Sequence, residues 1–269
     1  MSDNEELLKL LDDIRLTHGY DFTGYALGSV RRRVTHFMIN NKINDLGELA
    51  KQILEDESAF EKFVQNLSVN VTEMFRDPGF FKTLRDVVLP RLGTYPLIRI
   101  WLAGCSTGEE AYSITILLKE LNLLHKSLIY ATDLNPKVLE KASQGMFPLT
   151  YMKQYSENYI ASGGQEEFSS YYTAKYSLAK FDDELRSKII FSTHNLVSDH
   201  SFNEFQLILC RNVLIYFDRD LQHKVLELFN DSLEDLGYLA LGSKETIDFS
   251  NLSGKFKRLD QEKIWRKVN

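Results

Sequence analysis

Cysteine is nearly absent from this 269-residue chain, and the two present, Cys105 and Cys210, stand far apart with no CxxC pair or Cys/His cluster around them. That excludes a disulfide framework and a zinc site of ordinary spacing, and the six scattered histidines add no metal-ligand pattern. No metal is expected. Basic excess is also missing: 32 Lys+Arg against 38 Asp+Glu give a net charge of −6, which sets a general nucleic-acid binder aside. No apolar run approaches the roughly 18 residues of a membrane-crossing helix, so no membrane insertion is expected. The opening Met1-Ser-Asp-Asn-Glu-Glu lacks the basic-then-apolar pattern of a secretory signal, and a cytoplasmic location follows as an expectation. Nothing repeats at a fixed period, and no segment is of low complexity.

What is present is globular. Hydrophobic residues at 43%, aromatics at 12% and charged residues at 26% are close to the average for folded domains, and the length allows one large domain or two modest ones. Up to about residue 90 the apolar positions recur at helical spacing, as in Leu7, Leu8, Leu10, Leu11 and Ile14, or Leu46, Leu49, Ile53 and Leu54. Four or five short helices and no strand are predicted there. From residue 97 short apolar runs take over: 97–103, 127–132, 188–193 and 206–210. Helical stretches at 109–121, 136–143 and 219–236 separate them, and this alternation is the signature of a doubly wound α/β sheet. The runs 237–242 and 263–268 supply two late strands, read as a terminal antiparallel pair. The expected division is a helical domain over 1–78, a linker helix over 79–95, and an α/β domain over 96–269 with a small insertion at about 147–187.

The first strand runs through Ala103-Gly104-Cys105-Ser106-Thr107-Gly108-Glu109-Glu110 into an amphipathic helix. Glycines at such a turn let the backbone approach a ligand closely, and Gly104 is the first of them. The spacing is not the Gly-x-Gly-x-x-Gly of dinucleotide binding, and Glu109-Glu110 would repel a diphosphate. An acidic loop suits an ammonium or sulfonium group instead. The second strand ends in Asp133, placed either to accept hydrogen bonds from both ribose hydroxyls of a nucleoside or to cap the helix starting near Pro136. The glycine loop and a ribose acid together indicate a nucleoside cofactor, and the acidic loop favours S-adenosylmethionine over NAD.

Five strings make the pattern specific: Asn70-Val-Thr-Glu-Met-Phe-Arg76, Ser106-Thr-Gly-Glu-Glu-Ala-Tyr-Ser113, Ala131-Thr-Asp-Leu-Asn135, Asn195-Leu196, and Cys210-Arg-Asn-Val-Leu-Ile-Tyr-Phe-Asp218. In this order, over nearly the whole chain, they resemble the CheR family, S-adenosylmethionine-dependent methyltransferases that esterify glutamates on chemotaxis receptors. The resemblance implies a class I methyltransferase fold, a Rossmann-like doubly wound sheet, with an all-helical N-terminal domain and a small antiparallel β insertion. It also implies that Asn70, Thr72 and Arg76 border the cofactor, Glu110 holds the methionine amino group, Asp133 the ribose, Asn195-Leu196 the adenine side, and Arg211-Asn212 the floor under the methionine. Ala111 and Met74 depart from the proline and phenylalanine usual in the family, without removing a polar group.

Within that frame Arg76 and Tyr216 are the candidates for orienting the acceptor carboxylate, with Tyr216 read as lying at a strand end. Glu109 is expected to be a solvated first-turn residue. The basic cluster Arg31, Arg32 and Arg33 lies in a window, 22–44, that contains no acid. It is read either as a solvated helix face or, as the resemblance implies, as the surface that meets the acidic, cytoplasmic helical region of a chemoreceptor. A monomer is the simplest expectation. Two other functions stay open at this point: a methyltransferase acting on another protein or a small molecule, and a non-catalytic cofactor-binding signalling module.

Overall fold

The computed structural model describes residues 3–67, 72–259 and 262–268. It divides into two compact units, one made of 1–69 with 214–225 and the other of 70–213 with 226–269.

The first unit is helical: α1 (Asp3–His18), α2 (Leu27–Asn41), α3 (Leu46–Glu55) and α4 (Glu57–Leu67). Each buries one apolar stripe, through Leu7, Leu10, Leu11 and Ile14 of α1, Val30, Val34 and Phe37 of α2, Leu49 and Ile53 of α3, and Phe60, Phe63 and Val64 of α4. Asp45 caps α3 by accepting the Glu48 N–H at 2.8 Å, and Glu48 Oε2 accepts the Asn44 N–H at 3.0 Å in return. The 214–225 segment is joined by backbone bonds, Ala26 N–H to Tyr216 O and Asp218 N–H to Gly24 O, each 2.9 Å.

The second unit is built on a seven-stranded sheet, ordered β6-β2-β1-β7-β8-β10-β9. Its strands are β1 (Ile98–Ala103), β2 (Ser127–Asp133), β6 (Ile189–Thr193), β7 (Phe205–Cys210), β8 (Leu233–Leu241), β9 (Phe256–Arg258) and β10 (Ile264–Lys267). From β6 through β8 the pairs are parallel, and β10 runs antiparallel to both β8 and β9. Strands buried on both faces must be apolar throughout, which is why β7 is buried at every position. Helices α7 (Glu109–Glu120), α8 (Pro136–Gln144) and α11 (Arg219–Ser232) connect the strands. The chain leaves β1 toward β2 on one side and later adds β7 on the other, so a crevice opens above the carboxyl ends of β1 and β7.

The small insertion is a three-stranded antiparallel sheet, β3 (Met146–Pro148), β5 (Leu178–Phe181) and β4 (Tyr172–Lys175) in that spatial order, with α9 (Leu149–Ala161) between β3 and β4 and the short α10 (Asp183–Arg186) after it. The 13-residue α9 stands where no helix was expected. It ends on Gly163, at φ 84°, and a side chain on the following Gly164 would strike the Tyr159 ring.

Further expectations differ from the structure, among them the helix read over 219–236, which ends at Ser232 where β8 begins. The segment read as a linker helix is α5 (Pro78–Thr83), a π turn (Leu84–Val88) and α6 (Leu89–Leu92), and it links nothing. Phe80, Phe81, Leu84, Val88, Leu89 and Leu92 are buried in the core of the second unit, whose boundary falls at 69/70 and not at 78. The three-residue β9 went unpredicted because Phe-Lys-Arg is too short to carry an alternating pattern.

Candidate active site

Four loops of the second unit converge on the strand ends. The first leaves β1. Its backbone turns through Gly104 at φ 81°, Ser106 at φ 51° and Gly108 at φ 94°, and α7 begins at Glu109. Glycine is required at 104, since a Cβ there would lie 2.4 Å from Val213 Cγ2.

The second loop leaves β2 at Asp133, whose Oδ2 accepts the Ser106 N–H at 2.9 Å and whose Oδ1 accepts the Asn135 N–H at 3.0 Å. The capping alternative is answered here, because Asn135 is the N-cap of α8 and accepts the Lys137 N–H at 3.0 Å. Asp133 therefore bridges the glycine loop and the residue that caps α8. Burial raises its pKa above the ordinary carboxylate value, with the N–H groups of Asn135 and Ser106 opposing. Backbone N–H groups of Ser106, Leu134 and Asn135 face the carboxylate, whose two oxygens offer about four acceptor sites, so capacity for a hydroxyl remains.

The third loop follows β7. Arg211 is buried, its side chain 3% exposed, and its fork spans three partners: Nη1 donates to Glu110 Oε2 at 2.6 Å, and Nη2 to Asp77 Oδ2 at 2.6 Å and to Arg76 O at 3.0 Å. The guanidinium also lies 4.1 Å from the centroid of Phe80. Asn212 follows at φ 60°, a left-handed conformation uncommon outside glycine.

The fourth loop, 72–77, is held from three sides. Ser113 Oγ accepts the Phe75 N–H at 3.0 Å, Asn158 Nδ2 donates to Met74 O at 3.0 Å, and Arg211 takes Arg76 O and Asp77. Met74 and Phe75 are fully buried beneath it, and Phe75 and Asp77 have positive φ at 53° and 60°. Backbone strain of this kind persists only where its surroundings over-determine it, and it concentrates at functional sites.

The structure thus ties the Arg76 backbone, Glu110 and Arg211 to one another, and places Gly104, Asp133 and Asn212 on the neighbouring strand-end loops of the same unit. Asn195 and Leu196 follow β6, where Asn195 Oδ1 accepts the Val197 N–H at 2.9 Å and Leu196 is buried. Asn70 lies outside the described residues.

Four readings need correction. Glu109 is not solvated: it is buried, with Oε2 accepting from Thr107 Oγ1 at 2.6 Å and Oε1 facing Tyr155 OH at 3.5 Å, and burial raises its pKa. Both Nη atoms of Arg211 are turned to Glu110, Asp77 and the Arg76 carbonyl, and its buried Nε has no hydrogen-bond partner, so a floor role falls to its backbone and not to its guanidinium. Tyr216 is not at a strand end. It closes a 3-10 turn, Leu214–Tyr216, grouped with the first unit, and the Arg33 guanidinium stacks 4.1 Å from its ring centroid. Arg33, in turn, is buried and donates to Leu67 O. It shares the inward stripe of Val30, Val34 and Phe37, because three consecutive helical residues point in three directions and cannot all face a partner. Arg31, which donates to Asn4 Oδ1, and Arg32 are exposed.

Sequence reasoning missed Asp77, Asn158 and above all Glu245, a buried acid just beyond β8. An acid at a strand's carboxyl end was the signal that singled out Asp133, and Glu245 follows soon after the end of β8 at Leu241.

Comparison with known proteins bears on these same residues. Residues 70–264 match the family described as CheR methyltransferase, SAM binding domain, and residues 5–68 match CheR methyltransferase, all-alpha domain. The chain belongs to the CheR methyltransferase family. A Pseudomonas putida protein designated Cher3 is 45% identical over 97% of this chain and 96% of its own length. Proteins named chemotaxis protein methyltransferase are 32% identical in Listeria innocua, over 85% of each chain, and 32% identical in Salmonella typhimurium, over 88% of this chain and 83% of that one. The CheR cofactor is S-adenosylmethionine, and the residues present fit it. Two acids, Glu110 in the first turn of α7 and Asp133 at the end of β2, flank the tight glycine turn that follows β1, an acceptor set compatible with a cofactor that carries an ammonium group and hydroxyls.

Proposed function

We propose that this protein transfers the methyl group of S-adenosylmethionine to glutamate side chains in the cytoplasmic helical region of chemotaxis receptors, forming glutamyl methyl esters. The observation that carries the cofactor half is the Arg211 fork, which holds Glu110 and the Arg76 loop in one rigid frame. The relatives named chemotaxis protein methyltransferases support the receptor half.

In this reading Glu110 receives the methionine ammonium, Asp133 the two ribose hydroxyls, Asn195 and Leu196 the adenine side, and the Asn212 backbone the underside of the methionine. Asn70 and Thr72 border the cofactor from the entering chain. Arg211 acts through its partners and not by touching the ligand. S-adenosylmethionine supplies an activated sulfonium methyl. A glutamate acceptor is ionised at neutral pH, so the protein has no proton to remove, and its task is to hold the carboxylate oxygen in line and exclude water. Arg76 orients that carboxylate in this reading, its backbone held by the contacts to residues 74–77. Tyr216 is the second candidate for the acceptor side through its hydroxyl, and Tyr216→Phe tests that hydroxyl while keeping the ring beneath Arg33.

Arg31 and Arg32 supply the receptor-facing charge. Among the described residues no helix is long and apolar enough to cross a membrane, and the proposed acceptor is cytoplasmic, as is the protein in this reading. The test is transfer of labelled methyl from S-adenosylmethionine to a receptor cytoplasmic fragment. Saturable labelling of that fragment is expected. Labelling of nucleic acid or small molecules in its place would overturn the assignment.

A further inference from the structure

Glu245 has no part in the reading above, yet it is the buried carboxylate that joins the loops at the sheet's reversal point. It is 5% exposed, in the turn after β8. Its Oε2 accepts the Gly242 N–H at 2.6 Å and the Asn212 N–H at 3.0 Å, and its Oε1 accepts the Val213 N–H at 2.9 Å. Three backbone donors on one carboxylate is the converse of an anion-binding nest, with the acid supplied by the protein itself.

The donors matter because of where they lie. Asn212 is held at φ 60°, a conformation that asparagine tolerates but that needs outside support. Val213 presses its side chain against Gly104, so the carboxylate reaches the glycine loop of β1 through one residue. Gly242 closes the arrangement: a Cβ on it would lie 2.7 Å from Glu245 Oε2 and 2.8 Å from the Asn212 nitrogen. Glu245 therefore ties the loops after β7 and β8 directly, and the Val213 side chain carries the contact on to the glycine loop after β1.

We infer that Glu245 is a positioning residue of the methyltransferase site, acting through the Asn212 and Val213 peptides to set the floor on which S-adenosylmethionine rests. The inference depends on the proposal that the cofactor lies over Asn212. Glu245→Gln keeps the shape but replaces one acceptor oxygen with a donor that faces backbone N–H groups. Gly242→Ala drives a methyl group into the same three-way contact from the opposite side.

The experiment is calorimetric titration of S-adenosylhomocysteine into wild type, Glu245→Gln and Gly242→Ala, with thermal unfolding of each ligand-free protein. Expected is a Kd raised about tenfold or more in both variants while each still unfolds cooperatively, with the double variant less than additive because both act on one contact. Should Glu245→Gln fail to fold, Gly242→Ala carries the same expectation. A wild-type Kd in a folded variant, with only the unfolding temperature lowered, overturns the inference and leaves the cofactor site standing. A wild-type protein that binds no S-adenosylhomocysteine overturns both.

Discussion

Arg211→Lys is the most informative single change, because it keeps the charge and removes the fork. In the native protein the guanidinium meets Glu110 Oε2 and Asp77 Oδ2 at 2.6 Å each and Arg76 O at 3.0 Å. A lysine ammonium is a compact point donor that reaches one carboxylate well, and the less exposed partner is Glu110, at 17% against 45% for Asp77. If that contact survives, the Asp77 pair is lost, worth no more than about 1 kcal/mol at its exposure. With it go a hydrogen bond to a carbonyl, about 1 kcal/mol, and part of the stack on Phe80, roughly 0.5–1 kcal/mol. The total is about 2–3 kcal/mol. For a chain of this size that lowers the unfolding temperature by roughly 4–5 °C. Loss of the tie to residues 76 and 77 also loosens the loop beside the cofactor, so the Kd for S-adenosylhomocysteine should rise about tenfold. Differential scanning calorimetry and titration calorimetry read the two effects separately. An Arg211→Lys protein with wild-type unfolding temperature and wild-type affinity would refute the view that the fork holds the site together.

Three further outcomes are expected. If Asp133 binds ribose as a carboxylate, as proposed, the upward shift of its folded-state pKa by burial means that affinity for S-adenosylhomocysteine should fall as pH drops through that raised value, beginning above the ordinary aspartate range. The same group contributes stability below its unfolded pKa and loses it as pH rises through the folded one, so acidification should not unfold the protein at this site; affinity constant down to the ordinary aspartate pKa would count against it. Arg31→Glu with Arg32→Glu should slow receptor methylation in a salt-dependent way without changing cofactor affinity, whereas Arg33→Ala should lower the unfolding temperature, because only Arg33 is buried; equal effects of all three at low salt would contradict this. Arg76→Ala should cut methyl transfer at least tenfold while the fold persists, since its backbone and not its side chain anchors the loop to Arg211, and wild-type labelling by that variant would remove its assignment.

The sheet was legible in the sequence because strands buried on both faces read as unbroken apolar runs, and the cofactor loops because glycines and acids sit at strand ends. What stayed hidden depends on tertiary packing. Glu109 and Glu110 are neighbours on one helical turn, and which of them faces the core is settled by Tyr155 on the distant α9. No local pattern says that Arg211 will find Glu110 and Asp77, each more than a hundred residues earlier in the chain. Arg33 is different, since its spacing from Val30, Val34 and Phe37 already placed it on the buried stripe of α2. The π turn at 84–88 interrupts a segment whose composition reads as one helix, a break that its residue types do not announce.

The central claim is that the acceptor is a glutamate carboxylate of a chemoreceptor, and the direct measurement is the chemistry of the bond formed. Receptor fragment labelled by this protein with S-adenosylmethionine should release its methyl group as methanol in mild base, and mass spectrometry should place that group on glutamate side chains. A base-stable label, or one on any other residue, would contradict the account.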